Sequence, residues 1–173
     1  MNKFAMLLVF FVCLSSCKSK KTVVTKKTRS VRIDKNPNTR IAENIPKSIS
    51  KIIDNAKSFE GTRYKYGGTT KRGMDCSGLI YTSFLKEDIP MPRTTKTLSN
   101  YGEWVDVKEV KEGDLLFFAT KKNSRKVNHV GLVTETRPGY VEFIHSTTSR
   151  GVITSNLSER YWYLAYVQAR RVM

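Results

Sequence analysis

Three regimes of hydrophobic patterning divide the chain. Residues 4–14 form an almost unbroken apolar run, preceded by Met1-Asn2-Lys3 and followed by the small pair Ser15-Ser16. The run is far shorter than the roughly 20 residues that span a bilayer. A charged start, a short apolar core and a small-residue exit read as a secretory signal. From residue 18 to about 45, apolar positions are scarce and show no period. From Pro46 the pattern turns amphipathic: Ile49, Ile52, Ile53, Ala56 and Phe59 recur at helical spacing after a proline suited to a first turn, and Gly61 stops the run. Residues 64–73 read as a Gly-rich loop. Leu79, Ile80, Phe84 and Leu85 draw a second helical stripe to about Glu87, which residues 88–92 break. Five strand-like segments follow, at 114–119, 129–135, 140–146, 152–155 and 163–170, with Arg137-Pro138-Gly139 as the turn between the second and third. Helices first and antiparallel strands afterwards argue an α+β domain.

Charge separates the middle regime from the last. The 173 residues carry a net charge of +16, and residues 18–45 set nine Lys or Arg against only Asp34 and Glu43. So much like charge with so little apolar surface cannot offset the entropy of ordering. This stretch reads as a tether: either a solvated spacer, or a polybasic strip drawn to anionic headgroups or wall polymers at about 1 kcal/mol per cation. Nucleic acid is a poor partner for a basic chain with an export signal. The expected organisation is a signal at 1–16, a tether at 17–45, and one globular domain at 46–173, long enough to bury a single core.

The three cysteines take different roles. Cys13 lies in the signal. Leu14-Ser15-Ser16-Cys17 resembles a bacterial lipobox, which implies cleavage before Cys17 and acylation of its thiol. Cys76 is then a spare thiol in an exported chain, which suggests chemistry rather than a disulfide framework. It sits in Asp75-Cys76-Ser77-Gly78, where Asp75 suits a helix N-cap and places the thiol in the first turn. There the free N–H groups and the positive end of the helix favour the thiolate and lower its pKa. Gly78 leaves room for close backbone approach. Only two histidines exist, His129 at the start of one strand and His145 near the end of the next. An antiparallel turn brings these ends together, giving Cys76 a base and the base an orienter.

Five ordered blocks then identify a family. They are Tyr64-Lys65-Tyr66-Gly67-Gly68, Asp75-Cys76-Ser77-Gly78-Leu79-Ile80, Pro92-Arg93-Thr94, Gly113-Asp114-Leu115-Leu116-Phe117-Phe118 and His129-Val130-Gly131-Leu132-Val133. Together they resemble the NlpC family of bacterial cell-wall cysteine peptidases, most closely its Spr-type murein endopeptidase lipoproteins. The resemblance runs from about Ile49 to Met173.

The resemblance implies a papain-like core whose nucleophile begins a helix packed on the sheet that carries the histidines. It implies cleavage of peptide bonds in peptidoglycan stems or cross-links, with no metal and no cofactor. By position, Cys76 matches the nucleophile, His129 the base and His145 the third polar residue. Tyr64 matches a tyrosine whose hydroxyl lies beside the thiol and assists the oxyanion. Asp75 either contacts a substrate amine or only caps its helix; Ser77 and Arg93 are groove candidates, with Arg93 suited to a stem carboxylate. Partners follow as peptidoglycan and, through acylated Cys17, a membrane. Lys18 is not the acidic residue that retains lipoproteins at the inner membrane, which points to the periplasmic face of the outer membrane. The competing readings are a catalytically silent murein-binding lipoprotein and a papain-like acyltransferase. Both a D-Ala–diaminopimelate and a γ-D-Glu–diaminopimelate scissile bond stay open.

Overall fold

A computed structural model of the chain describes residues 45–173. The expected signal, Cys17 and the tether up to Asn44 lie outside the described residues. Helix α1 (Lys47–Lys57) buries Ile49, Ile52, Ile53 and Ala56 on one stripe, with Pro46 just ahead of its first turn. The Gly-rich loop carries a minimal antiparallel hairpin, β1 (Thr69–Thr70) and β2 (Gly73–Met74), too short to show a period in the sequence. Helix α2 (Cys76–Leu85) follows at once and is buried nearly all round, from Cys76 to Phe84. Leu85 departs from the expected stripe and faces solvent. A single turn, α3 (Thr95–Leu98), is capped by the Thr94 hydroxyl, which accepts from the Thr97 N–H.

The second half is a six-stranded antiparallel sheet. Its strands are β3 (Glu103–Val105), β4 (Leu115–Phe118), β5 (His129–Arg137), β6 (Tyr140–Thr147), β7 (Gly151–Asn156) and β8 (Tyr166–Arg171), in the spatial order β3-β8-β4-β5-β6-β7. All four residues of β4 are buried because both faces of the sheet are covered. Leu115 and Phe117 point into the layer of α1 and α2, together with Val130, Leu132 and Ile144. Leu116 and Phe118 point the other way, onto Val133, Phe143, Trp162 and Ala169. The α+β, papain-like architecture is thus a helical layer packed on one face of the sheet.

One expected strand is part helix. Residues 163–170 were to be extended, but α4 (Arg160–Ala165) runs through the first three of them and β8 starts only at Tyr166. The aromatic run Tyr161-Trp162-Tyr163 suits a strand by propensity. Its burial has a period of three instead: Trp162 and Ala165 go inward while Tyr161, Tyr163 and Leu164 stay exposed. Packing overrode local preference. Strand β3 and helix α3 were not expected, since three or four residues leave no readable pattern.

Glycine at position 78 is required by the approach of two backbones. A Cβ there would collide with the Gly68 carbonyl and press on the Asp75 carboxylate and the Arg93 guanidinium. Ordinarily a helical Gly→Ala change adds stability. Here Gly78→Ala should cost about 1–3 kcal/mol, as overpacking does, read as a lower denaturation midpoint in urea. An unchanged midpoint would show that the Gly68 loop yields freely.

Candidate active site

Asp75 organises the start of α2. Its Oδ1 accepts from the Gly78 N–H at 2.6 Å and from the Ser77 hydroxyl at 3.2 Å, while Oδ2 accepts from the Gly67 N–H at 2.7 Å. Arg93 closes the arrangement with both terminal nitrogens on the carboxylate, at 3.0 and 3.2 Å, and also donates to the Ser77 hydroxyl and the Gly68 carbonyl. The candidate groove residues Asp75, Ser77 and Arg93 are therefore one cluster, and its polar atoms satisfy each other. The guanidinium expected to meet a stem carboxylate is already committed to Asp75. Burial alone would raise the Asp75 carboxyl. The hydrogen bonds from Arg93, Gly78 and Gly67 outweigh it and hold the group below the usual carboxylate range.

Cys76 is the first residue of α2 and is nearly enclosed. Its Sγ lies 3.5 Å from the Thr95 hydroxyl. The thiol packs in one cluster with Val130 of β5, the residue after His129. Tyr64 sits in a parallel bridge beside Met74, two residues ahead of the thiol, held by the backbone bonds of Arg63 and Lys65 to Met74. Burial and the nearby Cys76 and Asp75 charges raise the pKa of its phenol.

The histidines meet across the sheet. With Leu132 opposite Ile144, continuing the register sets His145 opposite Gly131 and diagonal to His129. His129 Nε2 and His145 Nδ1 are 2.9 Å apart, and the far nitrogen of His145 lies 3.0 Å from the Ser155 hydroxyl of β7. Trp162 covers both rings, stacking on His129 and standing edge-on to His145. Asn128 and Ser146, the nearest other candidates for orienting His129, are engaged elsewhere: Asn128 with Thr120, Ser146 with the Met74 carbonyl. Three members of this group escaped sequence reasoning. Ser155 carried a weak signal, since the hairpin register places it diagonal to His145 on the same face. Thr95 and Trp162 carried none, because neither lies in a segment whose course was legible.

The electrostatics correct one expectation. The helix start was to lower the Cys76 pKa; instead burial pushes the thiol up, and the Thr95 hydroxyl and Val130 N–H pull it back only in part. Burial also lowers His129 to about 4. His145 falls to about 3, through burial first and then the charges of His129 and Arg150. Burial thus works against charge on the thiol and on both imidazoles in the resting site. Such a site can move a proton from sulfur to imidazole when a substrate excludes water and stabilises the charges that result. Among the described residues no cluster of His, Cys, Asp or Glu could hold a metal ion.

Comparison with known proteins follows the same lines. A family model described as NlpC/P60 family matches residues 61–171. The probable endopeptidase NlpC of Escherichia coli K12 is 38% identical over 137 residues, covering 79% of this chain and 85% of that protein. The murein DD-endopeptidase MepS/murein LD-carboxypeptidase of the same organism is 32% identical over 172 residues, covering 94% of this chain and 87% of that protein. Among solved structures, an NlpC/P60 family protein from Bacillus cereus ATCC 10987 superposes with a TM-score of 0.65 at 31% identity, over 72% of this chain. The chain spans only 40% of that larger structure's length.

The two histidines also contribute to acid stability. Their folded pKa values lie below the ordinary value of about 6.5, so the unfolded chain binds more protons as pH falls. Their contribution is complete above pH 6.5 and is lost as pH drops toward 4 and 3. Thermal unfolding should therefore show Tm falling across that interval. His145→Gln, which keeps an amide beside Ser155 but cannot titrate, should flatten the fall. A slope indifferent to that change would assign the acid loss to other groups.

Proposed function

The chain belongs to the NlpC/P60 family of cell-wall hydrolases, and we propose that Cys76 makes it a cysteine peptidase cutting peptide bonds in peptidoglycan stems or cross-links. The observation that carries this reading is the His129–His145 pair, 2.9 Å apart, on the sheet against which the helix-start thiol packs in one cluster with Val130. In the proposed tautomer His129 Nε2–H donates to His145 Nδ1, and His145 Nε2–H donates to Ser155 Oγ. His129 Nδ1 is then free to take a proton. His145 and Ser155 are positioning residues: a neutral imidazole held by a hydroxyl remains an acceptor throughout.

The steps balance without a cofactor. His129 Nδ1 takes the Cys76 proton as sulfur bonds to the scissile carbonyl carbon, and the carbonyl oxygen gains the displaced electron pair. The Cys76 N–H and the Tyr64 hydroxyl stabilise that oxyanion. His129 then protonates the leaving amine as the C–N bond breaks, leaving a thioester. Water, deprotonated by His129, attacks the thioester, and the acid departs as sulfur recovers its proton. Asp75, Ser77 and Arg93 brace the start of α2, and Asp75 caps the helix that carries the thiol. The envelope is the site of action, with Cys17 as the lipid-bearing residue and the periplasmic face of the outer membrane as the location.

Digestion of purified murein with fragment mass analysis tests this directly. The intact chain should release peptides whose masses name the bond cut. Cys76→Ser should release none while unfolding at an unchanged temperature, and His129→Ala should lose about 10²–10⁴-fold in kcat. His145→Gln should retain more activity than His145→Ala, because an amide oxygen still accepts from His129. A Cys76→Ser chain that still digests murein would refute the peptidase, and murein bound but uncut by the intact chain would favour a silent binding protein.

A further inference from the structure

A cavity of about 370 Å³ opens where residues 63–64 pass the turn between β6 and β7; Arg63, Tyr64, Thr148, Ser149, Arg150 and Gly151 line it. The backbone fixes its two arginines side by side. Gly151 has φ +69°, and a Cβ there would collide with the Thr62 carbonyl and lie 3.1 Å from the Arg63 Cα. Backbone bonds from Gly61 N to Val152 O and from Val152 N to Thr62 O, both 2.9 Å, lock this strand to the turn. The turn is itself closed by Thr147, whose hydroxyl accepts from the Arg150 N–H and donates to the Gly151 carbonyl. Neither Arg63 nor Arg150 makes an ion pair among the described residues, in contrast to Arg93, Arg137 and Arg171.

The cavity also adjoins the segment that leads into α2, through the bridge between Tyr64 and Met74. Tyr64 is shared: it lines the cavity, and its phenol senses the Cys76 charge. On the other flank the Arg150 charge is felt by His145. Two arginines without an ion pair among the described residues and three hydroxyl residues, Tyr64, Thr148 and Ser149, line one small volume, a set that suits a planar anion accepting hydrogen bonds on two oxygens. We propose that this cavity is a carboxylate subsite, in which Arg63 and Arg150 hold one free carboxylate of the peptide stem beside the bond presented to Cys76. The inference rests on the peptidase reading for the identity of its ligand. It makes the arginine pair, rather than Arg93, the determinant of which stem carboxylate sets the register of cleavage.

Binding measured on a chain that cannot cleave separates the two readings. The full chain carrying Cys76→Ser is titrated calorimetrically with a synthetic murein tetrapeptide and with versions in which one carboxylate at a time is capped as the carboxamide. Capping one particular carboxylate should weaken binding about tenfold or more. In the same chain with Arg63→Gln and Arg150→Gln, that selective loss should disappear, and the free peptide should bind as weakly as the capped one. Arg63→Lys with Arg150→Lys keeps the charge without the fork and should fall between. Lys57→Gln with Lys108→Gln, cations outside the cavity, should leave the selectivity intact. Equal binding of all the peptides, or a selectivity that survives loss of both arginines, would overturn the subsite. Absence of turnover by the intact chain would instead refute the peptidase, and leaves this binding result standing.

Discussion

The Asp75 carboxylate accepts five hydrogen bonds from Gly67, Ser77, Gly78 and Arg93. Left unpaired, a carboxylate this enclosed would be too costly to keep charged. Paired, it ties the Gly-rich loop, the first turn of α2 and the segment of Arg93 to one point. Each of those segments then delivers something to the sulfur. The loop brings Tyr64, the helix brings Cys76 with its N–H, and the Arg93 segment continues through Thr94 to Thr95, whose hydroxyl touches Sγ. The geometry around the thiol is thus set by a group that carries no reacting atom.

Burial plays a second part, in the charge state of the centre. Enclosure raises the thiol and lowers both imidazoles, so burial opposes separated charge in the resting site. A preformed ion pair would be costly to hold in this apolar setting, with Trp162 against both rings. The helix start still matters, because its N–H groups favour charge on sulfur once the proton has left. Charge is therefore raised at the moment of attack and not stored beforehand.

Much of this was readable in the sequence because it rests on long patterns. The stripe of α1, the capped start of α2 and the β5–β6 hairpin each span eight or more residues or carry a cap. Two histidines at facing ends of a hairpin were enough to set them together, and Asp75 followed from its position ahead of an apolar helix. What stayed hidden depends on contacts distant in sequence. Arg93 lies 18 residues from Asp75, and the link from Ser155 to His145 requires a second hairpin register. The α4 segment failed for another reason: its aromatics favour strand locally, and only the buried side of the sheet makes Trp162 and Ala165 share a face. The thiol pKa failed because a helix end can be seen in a sequence, whereas the depth of its enclosure cannot.

The thiol and the imidazoles belong to different layers. Strands β4 to β7 form a meander of neighbours in sequence, and such local pairings close readily; the histidines can find each other there without the helices. Cys76 joins them only when α2 docks on β5, and the junction is completed by long-range bonds such as Ser146 to Met74, 72 positions apart. A chain whose layers have not yet docked owns every reactive group and no working centre. Catalytic competence belongs to the assembled fold and to neither layer alone, so a hydrolase aimed at the cell's own wall has no working centre until its two layers have met.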